Sequence, residues 1–160
     1  GRARPTAVSV GRSTSASVMV FLQNIRTSLL GVPFPEEPVG EGARWRVQRR
    51  VEPVSGDAVP VYQSYLYTLS ELDGDGGVLA VSQHTSGEPV EVPGDEPGTR
   101  IRFLASESMG VGSVRFRLDQ LLYDAELDGT SMTRSRHVSE AGSRRVDERM
   151  RFVLNAYHLD

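Results

Sequence analysis

The sequence predicts a mainly β (α+β) fold, a curved antiparallel sheet or half-barrel of about seven to eight strands packed on one N-terminal amphipathic helix. Three observations predict it. Apolar and polar residues alternate over most of the chain from residue 43 onward, the period of a half-buried strand. Clusters of Gly, Asp and Pro divide those runs. Only residues 14–30 carry a clear helical stripe.

The elements follow in chain order. Residues 1–12 carry Arg2, Arg4 and Arg12 around one short β-capable run, Thr6 to Val10, with Val8 between them. They read as a flexible or strand-donating arm. Residues 13–160 read as a single β-rich domain, since 160 residues suit one core and need no disulfide. Within 14–30, Val18, Phe21, Leu22, Ile25 and Leu29 fall on one face. Ser13, Thr14 or Ser15 caps the start and Gly31 ends it. Three prolines and two glycines then make 32–42 an extended connector.

Trp45, with Ala43 and Val47, alternates with Arg44, Arg46 and Gln48, a half-buried strand. A long strand with Tyr62, Tyr65 and Tyr67 covers 59–72, and Asp73 to Gly77 turns it into a strand over 78–83. Residues 86–98 form a loop with a brief strand at 90–92. Two strands follow: 99–106, with Ile101, Phe103 and Ala105 on one face, and 112–118, with Val114 and Phe116 inward. Two more cover 123–127 and 132–138, joined by a turn at Asp128-Gly129. The last, from Val146 through Phe152 to Ala156, keeps a period of two. Trp45, Phe103, Phe116 and Phe152 join the helix stripe as core or ligand-facing candidates.

Several chemistries are excluded by composition. With no cysteine there is no thiol nucleophile, Cys-ligated zinc or iron–sulfur cluster. All 18 basic residues are arginine, so Schiff-base lysine and P-loop chemistry are absent. His84, His137 and His158 have no metal-ligand spacing, and counting an EF-hand from Asp73 puts His84 where the bidentate Glu belongs. No catalytic motif is present. The sequence thus predicts no enzyme, no metal and no cofactor.

Charge is uneven: +5 over residues 1–50, −8 over 51–110 and zero over 111–160. Arg115 and Arg117, then Asp124, Glu126 and Asp128, then Arg134 and Arg136, then Asp147, Arg149 and Arg151 share the outward parity of successive strands. This reads as a solvent-facing ladder of ion pairs, whose acids offset an anion-binding arginine patch. The three tyrosines lie in the acidic third, away from the arginine-rich arm, which argues against nucleic acid. No apolar run approaches the ~18 residues of a membrane span.

The segment from Phe34 through Pro35, Pro38, Gly40, Gly42 and Trp45 to Val47 resembles a signature of bacterial, myxobacterial-type envelope proteins and lipoproteins. In that group a helix precedes a Leu-Pro-x-x-Pro-Val-Gly-x-Gly-Ala-x-Trp motif and a β meander follows. The group is similar to LolA-type folds, in which a curved sheet wraps a helix and an apolar cavity. The resemblance implies an extracytoplasmic location (periplasm, outer membrane or cell surface) and a lipid or other hydrophobic ligand between helix and sheet. It implies no catalytic residue. It also implies that the chain is a C-terminal portion of a longer protein, since those relatives are longer and carry an N-terminal lipid-bearing cysteine. A self-assembling structural or filament subunit, homo-oligomeric through strand addition by the arm, is the alternative expectation.

Overall fold

A computed structural model of the chain describes residues 32–51, 61–94, 96–119 and 123–156. The expected arm 1–12 and helix 14–30, with Val18, Phe21, Leu22, Ile25 and Leu29, lie outside the described residues. So does His158.

The described chain is one antiparallel open sheet of seven strands: β1 (Arg44–Val51), β2 (Val61–Leu72), β3 (Gly76–Gly87), β4 (Val90–Pro93), β5 (Arg100–Arg117), β6 (Tyr123–Ser139) and β7 (Gly142–Ala156). They pair in the order β1-β2-β3-β5-β6-β7, and β4 pairs β5 along the line that β3 leaves. The sheet is therefore six positions wide, with β1 and β7 at opposite edges. Nearly every connection is a hairpin between sequence neighbours, as an alternating pattern with short turns dictates.

The β2–β3 hairpin turn is set by Asp73. Its Oδ1 accepts from the N–H groups of Asp75 (2.9 Å) and Gly76 (2.7 Å). The connector docks on β2 through Gly42, whose N–H donates to the Leu69 carbonyl at 2.7 Å. Gly42 has φ +82°, a conformation that glycine adopts without a Cβ penalty. Glu41 Oε1 accepts from the Leu72 N–H at 3.0 Å and fixes the far end of β2 to the same connector.

Three sequence expectations are corrected. The strands expected at 99–106 and 112–118 are one strand, β5, because Glu107 to Val111 keeps extended pairing to β3 and β6. A bulge between Phe103 and Ala105 reverses side-chain parity, so Ala105 faces outward and is exposed, not aligned with Ile101 and Phe103. Asp128-Gly129 is not a turn, since it lies inside β6. A Cβ on Gly129 would stand 2.4 Å from the Met109 carbonyl oxygen and 2.5 Å from the Phe152 ring. That glycine serves close packing across the sheet, not chain reversal.

One face of the sheet holds the core. Leu69, Leu79, Val114, Ala125 and Ala156 stand in register across five strands. The next row is Trp45, Tyr67, Val81, Gly112, Leu127 and Leu154. All of these but Trp45 and Gly112 are buried.

Candidate functional site

The inner face divides into an apolar end and a polar end, and strand register makes the division. Beyond the two apolar rows comes a mixed one: Val47, Tyr65, Gln83, Gly110, Gly129 and Phe152. Arg49, Gln63, Thr85, Ser108, Ser131 and Met150 follow. Gln63, Gln83, Thr85 and Ser108 are as buried as the core leucines.

Aromatic rings crowd the apolar end near β1. Trp45 stacks on Tyr67 with centroids 5.6 Å apart, and Tyr67 lies 6.0 Å from Tyr65. Phe34 of the connector sits 5.8 Å from Trp45 and meets Phe116 edge-on at 5.1 Å. The Trp45 indole N–H donates to the Pro33 carbonyl at 2.9 Å, which ties the connector down over the sheet. Trp45 is half-buried, not the largely buried residue that its strand pattern suggests, because it stands on the edge strand. Burial pushes the Tyr67 phenol up to about 12, with the neighbouring Tyr65 adding to the effect.

Polar groups at the other end satisfy one another in part. The Gln83 amide N–H₂ donates to the hydroxyls of Thr85 and of Ser108, the latter at 3.2 Å. Gln83 Oε1 is buried and accepts no hydrogen bond among the described residues. At the margin, Arg49 Nε donates to Gln63 Oε1 at 2.9 Å, and its guanidinium lies 5.9 Å from the Tyr65 ring centre. An open groove of about 320 Å³ runs beside Arg49, Arg50, Tyr62 and Gln63.

Of the residues singled out from sequence, Trp45, Phe116 and Phe152 belong to this inner layer, and Phe116 and Phe152 are buried. Phe103 shares the inner parity but stands farther along the sheet, half-buried opposite Ser135 and Val90. Arg2, Arg4, Thr6, Val8, Val10 and Arg12 lie outside the described residues. Gln63, Gln83, Thr85 and Ser108 were not anticipated. Their signal was available, since Gln63 shares parity with Tyr65 and Tyr67, and Gln83 with Leu79 and Val81.

The outer face carries the expected ion-pair ladder. Arg115 stands opposite Asp124, Arg151 binds Asp128, and Arg134 reaches Asp147 at 3.4 Å. Arg151 hydrogen-bonding holds the Asp128 carboxyl below its ordinary value, and Arg145 does the same for Asp147. His84 Nε2 pairs with Glu107 Oε1 at 2.8 Å on this face, and His137 is exposed on the other. Among the described residues no cluster of His, Asp and Glu could hold a metal, and no helix is long and apolar enough to cross a membrane.

No family model matches the chain, and no curated protein or solved structure matches it.

Proposed function

We propose that this is a non-enzymatic protein of the bacterial cell envelope whose inner sheet face holds a lipid or another hydrophobic ligand. The carrying observation is the graded inner face, with aromatic and aliphatic rows at one end and a buried polar band at the other. A ligand with an apolar body and one polar end matches that gradient. Its body lies along Trp45, Tyr67 and Leu127, and its polar end meets the Gln83 carbonyl oxygen and Arg49. In this reading the stripe of Val18, Phe21, Leu22, Ile25 and Leu29 covers the sheet, which bows around the ligand. The resemblance of residues 34–47 to envelope proteins supports the location.

Trp45 is the single tryptophan and so reports on this face alone. Titration with a polyene fatty acid should quench Trp45 emission saturably by energy transfer, and native mass spectrometry should show a co-purified lipid. A linear, non-saturable response with no adduct would sink the proposal.

The open edge favours a second reading. Strand β7 has 15 residues and pairs only β6 among the described residues. Such an edge is a template for a strand from another copy, here the arm with Thr6, Val8 and Val10. Light scattering on the whole chain and on a variant lacking residues 1–12 decides it. Self-association that survives the deletion excludes the arm.

A further inference from the structure

On the outer face, the ion-pair rule that governs β5, β6 and β7 fails at one place. Arg102, Arg136 and Arg145 stand directly opposite one another across the three strands. All three are exposed. Like charges in this arrangement repel. The carboxylates nearby are already engaged. Glu91, opposite Arg102 on β4, pairs with Arg100 at 3.0 Å. Asp147 takes two hydrogen bonds from Arg145, at 3.1 and 2.9 Å, and also pairs with Arg134. Among the described residues neither Arg102 nor Arg136 has an ion pair. Five arginines (Arg100, Arg102, Arg134, Arg136 and Arg145) thus share two carboxylates, Glu91 and Asp147.

We infer that the Arg102–Arg136 pair binds a phosphoryl group. Adjacent antiparallel strands lie about 5 Å apart, so two guanidiniums can flank one tetrahedral anion, each offering a planar fork of N–H donors. An anion there removes the repulsion within the row and completes the alternation of charge found elsewhere on this face. The site lies on hydrogen-bonded strands, with their backbones held on both sides. It is separate from the inner face, so it stands or falls independently of ligand binding there.

Two probes distinguish the source of the phosphoryl group. One is inorganic pyrophosphate, titrated into the whole chain at low salt by calorimetry. The other is flotation with phosphatidylcholine vesicles, with and without phosphatidic acid. Arg102→Ala and Arg136→Ala should each weaken binding by about tenfold or more. Arg115→Ala removes the same charge from the same face beside Asp124, and should leave binding near wild type. Pyrophosphate binding with this pattern assigns a soluble phosphate compound. Binding only to phosphatidic acid vesicles, with the same pattern, assigns a lipid headgroup. Failure to bind either probe overturns the proposal, as does an equal loss in Arg115→Ala, which would reduce it to general charge. Wild-type melting of each variant checks that the sheet is intact.

Discussion

Gly112 and Gly129 sit at the middle of the sheet, where a side chain has no room. A Cβ on Gly112 would lie 1.9 Å from the Glu126 carbonyl oxygen, against backbone that cannot swing aside. Gly112→Ala should therefore cost about 1–3 kcal/mol, read as a lower urea midpoint, as overpacking does elsewhere. Trp45→Ala should cost less than the ~3–5 kcal/mol of a fully buried tryptophan, because one side of the ring meets solvent; roughly 2 kcal/mol is expected. Tyr67 makes a pH prediction. Its phenol ionises near 12 in the fold and near 10 when unfolded. The protonated form is thus favoured by folding. That stability is fully present below pH 10 and drains away as the pH rises from 10 through 12. Absorbance at the phenolate band should show ionisation of Tyr67 well above pH 10, and Tyr67→Phe should remove its share of that late step.

At the level of elements, the sequence carried the strands but not always their ends. Five glycine and serine residues within 106–113 read as a break, yet β5 runs through them because β3 and β6 satisfy its backbone on both sides. The Asp128-Gly129 pair has turn chemistry, but tertiary pairing overrode it. Alternation along the strand places Trp45, Phe116 and Phe152 on the inner face, and fails at Ala105, where one bulged residue shifts the face. Parity within each strand turns Gln63, Gln83, Thr85 and Ser108 inward, but their gathering into one polar band depends on register between strands, which no single strand encodes. The same holds for Arg102 and Arg136. The turn expected over Asp73 to Gly77 is present, and Asp73 organises it through its side chain. Asp73→Ala removes two hydrogen bonds to the β2–β3 turn and should lower stability by about 1 kcal/mol, measurable by chemical denaturation.

Taken whole, the molecule is stabilised unevenly along its strands. The buried rows lie at one end, through Leu69, Leu79, Val114, Leu127 and Leu154. At the other end, residues 134–147 are exposed or half-buried apart from Ser135. Amide hydrogens of Arg136, Val138 and Arg145 should therefore exchange by local opening, far faster than those of Val114 and Leu127, which need global unfolding. Equal protection along β6 would contradict this gradient. A open groove of about 490 Å³ lies at the same weakly packed end, beside Thr99, His137 and Arg144.

The register that joins Trp45 to Leu154 through Tyr67, Val81, Gly112 and Leu127 has a mechanical consequence. The start of β1 and the end of β7 lie on one line across the sheet, five interstrand spacings apart, or about 24 Å. Tension applied between residues 44 and 156 acts across the strands and parallel to their hydrogen bonds. Those bonds then yield one after another, like a zip, instead of sharing the load in shear. In a single-molecule pulling experiment the sheet should peel from its edges at low force. Tension along β6 itself, with handles near residues 123 and 139, should meet greater resistance.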